Sequence, residues 1–416
     1  MKKILLFMAL LTSAFSVSII NLELINLFFV FLLAIIALPT ILIGNFRRDF
    51  VSYFLIWLLP FIISLGFSLP LNILMSDADG LFFHEISPYG RIANLIMLTL
   101  FVFYTYLYVY DTNSKVDSER CFFIIKAYFF SCCIMVFTAI WQWLNFNGLL
   151  SFKFPLETRS FAHGNTSLTA ISNRVTGLAM EPSFLVPFVS EFIIIGFFII
   201  KKKILKFIVT ALGVFVIFYS FSPSGYLSLL GLFLTYFYFQ YRLKAIIISL
   251  IVLFFVSGSF MYFKDIEAFV YFSDRIAGVS VSSRYETIYY LVEYMLSTDY
   301  FTLLFGNGFK TLSVLQLSFP NAIIYETSNN LFLDVFFECG IIGVFLMIWF
   351  FTKVLKLLVQ VRNRGNQLFV SLLMVNFIVT SLFRADYSSI RVFFILLIVY
   401  MLCISDKKIH VLNEKY

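Results

Sequence analysis

Apolar runs of about 17 to 25 residues recur along almost the whole chain, and short connections carrying Lys or Arg join many of them. Runs of that length match the thickness of a bilayer's hydrocarbon core, where backbone groups find no water and must be satisfied internally. A chain built this way reads as an all-α integral membrane protein. Composition agrees, since 61% of the 416 residues are hydrophobic and 13% are charged, whereas soluble domains carry about a quarter charged residues. Taken as spans, the runs number about twelve, at roughly 3–20, 24–44, 51–75, 92–110, 121–144, 183–200, 207–221, 225–240, 245–262, 329–352, 367–383 and 391–405. Residues 1–416 then form a single polytopic membrane domain. The opening MKKILLFMALLTSAFS has the charged head and apolar core of a secretory signal. A second apolar run follows almost at once from Leu24, which favours a retained first helix.

Basic residues set the orientation, because cytoplasmic connections retain positive charge. With both termini inside, the inner segments hold Lys2 and Lys3, Arg47 and Arg48, Lys115 and Arg120, Lys201 to Lys203 with Lys206, Arg242 and Lys244, Lys353 to Arg364, and Lys407, Lys408 and Lys415. They gather roughly two thirds of the 30 basic residues. The net charge of +7 is therefore a topology signal, and no nucleic-acid binding motif accompanies it. The two longest polar stretches, about 145–182 and 263–328, fall on the opposite, extracytoplasmic side and make that the working face. No GxxxxGK[ST] nucleotide loop occurs. The 5 cysteines lie in or beside apolar segments without a CxxC pair, and the 3 histidines are scattered, which argues against a disulfide framework or a metal site.

Three polar blocks interrupt this pattern at the outer ends of the spans. RVTGLAMEPSF places Arg174, Gly177, Glu181, Pro182 and Ser183 at the lip of a span, where charge is costly and more often serves a site than a scaffold. In the second outer stretch, Arg284 to Tyr300 fits an amphipathic helix lying on the membrane boundary, with Ser282 or Ser283 as N-cap and Tyr285 and Glu286 in its first turn, broken at Gly306, Asn307 and Gly308. Arg284 there either grips a lipid-linked phosphate with a guanidinium fork or pairs with Glu286 or a headgroup. YETSNNLFLDVFFECGIIG then sets Asp334 and Glu338 one helical turn apart, either as a general base of raised pKa or as organisers of neighbouring polar groups. In RADYSSIR, Arg384 and Arg391 flank Asp386, which offers a local ion pair as well as ligand contact.

In order, these blocks resemble the O-antigen polymerase (Wzy) and O-antigen ligase (WaaL) superfamily of membrane glycosyltransferases: RVTGLAMEPS is similar to the polymerase Arg, Gly, Glu-Pro-Ser element, SSRYETIYY with FGNGF to the outer-loop Arg followed by Gly-x-Gly, and SNNLFLDVFFECGIIG to the element that starts with His-Asn in ligases. The resemblance implies a GT-C-like polytopic bundle in the bacterial inner membrane with its active site facing the periplasm. The implied reaction moves a glycan from undecaprenyl diphosphate to the terminal sugar of another lipid-linked repeat unit, with inversion and with no cofactor, nucleotide or metal. Implied partners are the undecaprenyl-diphosphate-linked oligosaccharide, membrane lipid and a polysaccharide chain-length regulator, with no nucleic acid. Arg174 and Arg284 would clamp the diphosphate and stabilise its developing charge. Glu181 would act either as the base or as a holder of those arginines, with Pro182 at the helix start. Tyr285, Glu326, Asn329, Asn330, Glu338 and Arg384 are the expected substrate-binding residues. Asn329 stands where the ligases carry histidine, and an amide takes no proton, so the polymerase is favoured over a ligase acting on lipid A core. A flippase of lipid-linked oligosaccharide is the reading from another class, and it should bury charge within its spans.

Overall fold

A computed structural model describes residues 1–17, 23–76, 88–110, 116–150, 174–179, 181–242, 279–308, 328–384, 387 and 389–405. Their regular structure is helical: α1 (Lys2–Leu11), a 3-10 segment (Thr12–Val17), α2 (Glu23–Ile43), α3 (Arg48–Ser76), α4 (Pro88–Val109), α5 (Ser118–Phe146), α6 (Pro182–Ile199), α7 (Lys203–Ser220), α8 (Pro223–Tyr241), α9 (Val279–Ser297), α10 (Tyr300–Phe305), α11 (Leu331–Gln360), α12 (Arg364–Ser381) and α13 (Ile390–Ile404). Several begin with a side chain that accepts the orphan amides of the first turn, as Asp117 does from Glu119 and Arg120, Asp299 from Thr302, and Asn330 from Phe332 and Leu333.

Among the described residues seven helices, α2 to α7 and α11, are long and apolar enough to cross a membrane. The chain is therefore a helical membrane protein. The expected run at 245–262 lies outside the described residues, as do 151–173 and 180 of the first long outer stretch and 263–278 and 309–327 of the second. Four expected spans differ: those at 225–240 and 367–383 form α8 and α12, which are not among the seven, and two others are too short. Only ten residues of the first span in the chain are α-helical before the 3-10 segment begins. The last, α13, has 15 residues, below the roughly 20 that a crossing needs. Its residues from Ile390 through Leu402 are buried on every face, so α13 is the central post of the bundle and is shielded from lipid.

Around this post α3 packs on α11, α8 on α12, and α6 on α7 and α5. Contacts of basic residues confirm which helix ends lie together: Lys2 Nζ donates to Thr40 Oγ1, Lys353 Nζ to Ser52 Oγ at 2.6 Å, Arg120 Nη1 to the Tyr108 carbonyl at 3.2 Å, and Arg364 Nη2 to the Phe239 carbonyl. All of these residues sit at one end of the bundle, the end that the charge pattern assigned to a single side.

Charge also occurs deep inside. Arg391 of α13 donates through Nε and Nη2 to one oxygen of Glu191 in α6, at 3.0 and 2.7 Å. The other carboxylate oxygen accepts from the Tyr128 hydroxyl of α5. Asn376 of α12 leans on the same carboxylate at 3.4 Å, takes a hydrogen bond from Ser228 of α8 at 2.7 Å, and Ser228 meets Ser190 at 3.0 Å. Five helices are thus tied through one buried ion pair. The sequence reading had offered Asp386 as a local partner of Arg391. Asp386 lies outside the described residues, and the guanidinium, only 2% exposed, turns instead to a carboxylate on a different helix. A charge that leaves water entirely needs a partner that is equally buried.

Arg391→Ala strands the Glu191 carboxylate and should cost about 3–5 kcal/mol, read as an earlier unfolding midpoint in a mixed-micelle SDS titration. Replacing Glu191 and Arg391 together with leucine should cost less than the single change. A double variant as weak as Arg391→Ala would show that the pair itself does not anchor the bundle.

Candidate functional site

The strap that carries Arg174 is stitched between two helices before it enters α6. Arg174 donates through Nε to the Ser220 carbonyl at 3.3 Å and through Nη2 to the Phe221 carbonyl at 3.2 Å, at the C-terminal end of α7. Positive charge is favoured there by the helix dipole. The Val175 amide donates to the Tyr219 carbonyl at 3.1 Å. On the other side, the buried Oε1 of Gln142 in α5 accepts from the amides of Thr176 and Gly177, both at 2.8 Å. Gly177 has φ +59, and a Cβ there would lie 3.1 Å from the Met135 carbonyl, which accounts for the glycine in RVTG. Glu181 then takes the N-cap position of α6 with Pro182 in the first turn, and its Oε2 accepts from Ser183 Oγ at 3.2 Å. Glu181 remains half-buried.

The third block builds the start of α11. Asn329 adopts φ +57, which asparagine tolerates, and Asn330 caps the helix. Asp334 is 1% exposed and accepts from the Ser328 amide at 2.9 Å and from the Ser328 hydroxyl. Glu338, 2% exposed, accepts from the Tyr387 hydroxyl. Burial, followed by the Glu338 and Asp334 carboxylates, holds the Tyr387 phenol well above its ordinary pKa, so it stays a donor. The two carboxylates share a helix face as the spacing predicts, and both are committed to organising neighbours in this conformation.

Beyond Glu338 the helix breaks at Gly340, with φ +65 and ψ −166. The break deprives nearby carbonyls of helical donors, and the Gly306, Asn307, Gly308 turn supplies new ones: the Asn307 amide donates to the Phe337 carbonyl at 2.9 Å, and the Gly308 amide to the Glu338 carbonyl at 3.0 Å. Ser64 Oγ of α3 adds a second donor to Glu338 at 2.7 Å. The approach is so close that a Cβ on Gly306 would sit 2.3 Å from the Glu338 carbonyl, and one on Gly340 2.3 Å from that of Leu304. FGNGF, expected as a break, and ECGIIG, expected as part of one continuous span, are therefore two halves of one joint.

α9 starts at Val279, ahead of the expected N-cap, so Ser282 and Ser283 fall inside the helix, and it ends at Ser297. Tyr300 belongs to α10, whose N-cap Asp299 is held below the ordinary carboxylate range by the hydroxyl and amide of Thr302. The helix docks on α11 through Leu291 and Met295 against Phe337, and Tyr294 donates to Asn307 at 3.0 Å. Arg284 and Tyr285 lie on α9 with side chains outside the described residues, and Glu326 lies outside them altogether.

A short turn between α12 and α13 joins the two blocks. Arg384 is 7% exposed, lies 3.8 Å over the Phe184 ring and donates to the Phe184 carbonyl at 3.4 Å, in the first turn of α6. Three residues on, Tyr387 reaches Glu338 of α11 and stacks on Phe61 of α3, with ring centroids 5.1 Å apart. Glu181, Arg384, Glu338, Asn329 and Asn330 are thereby brought to one end of the bundle, opposite the basic connections, while Arg174 is held on the end of α7. No family model matches the chain, and neither does any curated protein. Among the described residues no three His, Cys, Asp or Glu side chains cluster to hold a metal. Gln142, Ser64 and Tyr387 escaped the sequence reading. For Gln142 the available signal was an amide inside an apolar helix, where an unpaired polar group is expensive.

Gly340→Ala should cost about 3 kcal/mol or more, because backbone strain and contact with Leu304 add together. Gly148→Ala is the control, with φ +66 but nothing within 4 Å of its added Cβ, and should cost about 1–2 kcal/mol. Thermal midpoints in detergent measure both, and equal losses would show that the joint contributes nothing beyond strain.

Proposed function

We propose that this protein is a polymerase of a surface polysaccharide, transferring glycan from undecaprenyl diphosphate to another lipid-linked repeat unit at the end of the bundle opposite the basic connections. The observation that carries the reading is the turn from Arg384 to Tyr387, which joins the Glu-Pro-Ser helix start to the Asn-Asn helix start. Those are two of the three sequence blocks that resemble the O-antigen polymerases, and they lie far apart in the chain. The fixed strap and the clamped helix offer rigid supports for groups that meet a diphosphate, as electrostatic stabilisation of a departing anion requires.

Accessibility supports Glu181 for proton removal from the acceptor hydroxyl. It is half-buried beside a serine hydroxyl, whereas Asp334 and Glu338 are sealed and already hydrogen-bonded. Arg174 then acts near the diphosphate while keeping the end of α7 in place, with Arg284 as the second clamp. The departing diphosphate is a good leaving group, so modest basicity suffices.

Transport of lipid-linked oligosaccharide is the second reading, favoured by charged groups buried among the described residues, with Glu191, Asp334, Glu338 and Arg391 the most deeply placed. Against it, each is hydrogen-bonded to a named neighbour and none exceeds 2% exposure, which is the signature of a scaffold more than of a passage.

Purified protein incubated with a lipid-linked repeat unit, without nucleotide or added metal, should yield a ladder of products. A single addition to lipid A core would instead indicate a ligase, and translocation in vesicles without any reaction a flippase. Glu181→Gln should slow elongation by about a hundredfold or more at unchanged thermal stability, the loss expected of a general base. Arg284→Ala should abolish polymer while the protein still inserts. Normal chain lengths in that variant at equal expression would remove Arg284 from the mechanism.

A further inference from the structure

Away from the ends of α6 and α11, the seam between α1 and α5 carries a pattern that the polymerase reading does not use. On α1, Lys3, Phe7 and Leu11 follow one another at intervals of four residues, which sets them along one face. On α5, Lys126, Phe130, Ile134 and Phe137 do the same at intervals of three or four. Phe7, Leu11, Phe130, Cys133, Ile134, Phe137 and Thr138 line an apolar cleft of about 570 Å³. Thr138 Oγ1 is engaged by the Ile134 carbonyl at 2.7 Å, which leaves its wall free of polar demand.

Each wall of the cleft ends in a lysine, and at the same end. Lys3 Nζ lies 4.8 Å from the Phe123 ring centroid, and Lys126 Nζ 4.3 Å from that of Phe122, adjacent residues of α5. Both lysines are exposed, and the rings that carry them are neutral. Lys2 next to them differs, since it is engaged by Thr40. From Lys126 to Phe137 the stripe rises about 16 Å at 1.5 Å per residue, close to the roughly 15 Å depth of one leaflet.

We infer that the seam between α1 and α5 is a binding site for one anionic phospholipid, with its phosphate between Lys3 and Lys126 and one acyl chain lying along Phe7, Phe130, Ile134 and Phe137. Two ammonium groups at the mouth of an apolar channel match a lipid that carries net negative charge and discriminate against a zwitterionic one. A second copy of the chain would have to bury both lysines against its own surface, which is costly without paired carboxylates. The occupant is a bulk phospholipid and not the polyprenyl diphosphate substrate, because the lysines lie at the basic end. Gln142, which holds the strap of the candidate site, stands about 24 Å further along the same helix.

Full-length protein in phosphatidylcholine nanodiscs should gain thermal stability on addition of phosphatidylglycerol, and native mass spectrometry should find one tightly retained phosphatidylglycerol. The Lys3→Gln/Lys126→Gln double variant should weaken that retention roughly thirtyfold. Lys206→Gln is the control. Its lysine also rests on a ring, Phe197, at 5.1 Å, but away from the cleft, and it should leave retention unchanged. A Phe137→Trp variant places a fluorophore in the channel, so acyl-brominated phosphatidylglycerol should quench it more strongly than brominated phosphatidylcholine. Equal retention by the double variant, equal quenching by the two lipids, displacement by polyprenyl phosphate at equal potency, or cross-linked dimers that close the seam would each overturn the proposal.

Discussion

The break in α11 at Gly340 exposes backbone carbonyls inside an apolar bundle, and the surrounding structure is arranged to answer them. In hydrocarbon a helix is stable because every amide and carbonyl finds its partner within the segment, so a break must be met by donors from elsewhere. Asn307, Gly308 and Ser64 meet this one. Their approach requires that neither Gly306 nor Gly340 carry a side chain. Once this joint is closed, α10 is seated on α11, α9 follows through Leu291 and Met295, and α3 is fixed against the carboxylate-bearing face of α11.

A second set of buried bonds joins other helices. The ion pair of Glu191 and Arg391 ties α6 to the central post α13, with Tyr128 and Asn376 completing the carboxylate's shell. Arg391 follows Tyr387 by four residues, so the same short stretch of chain is held to α11 by a phenol and to α6 by a guanidinium. Arg384, stacked on Phe184, adds a third hold. Arg384, Tyr387 and Arg391 thereby link the start of α6 to α11. Support of this kind is what a site needs when its chemistry depends on preorganised charge.

Much of this was legible from the residues, and the remainder had a physical reason to be hidden. Apolar runs located most of the helices because the hydrophobic requirement of a bilayer acts locally along the chain. They misjudged α13, since a run of 15 apolar residues looks the same whether lipid or protein surrounds it. The pairing of Asp334 and Glu338 on one face followed from helical spacing, but their partners did not. Ser328 is near in sequence, whereas Tyr387 is 49 residues away and Glu191 stands 200 from Arg391. Partner choice at such separations is decided by packing, which no local pattern encodes. Gly306 was visible as a break, whereas Gly340 sat unmarked inside an apolar run, and only the fold reveals that the two meet.

These partners also sort the carboxylates by what they are able to do. Asp334 and Glu338 stand where a base was conceivable, yet both carboxylates are buried and already accept from a hydroxyl. Their hydrogen bonds explain why they are there: each fixes a segment, Ser328 in one case and Tyr387 in the other, that would otherwise enter the bundle with unsatisfied polar groups. Glu181 has the opposite profile, with a half-buried position at the mouth of α6 and a serine hydroxyl as its neighbour. Charge at the lip of a span is retained at a desolvation cost in both cases, and the difference lies in whether that charge is spent inward on the fold or left facing outward. In the proposed polymerase, the inward pair holds the frame and the outward residue meets the acceptor sugar.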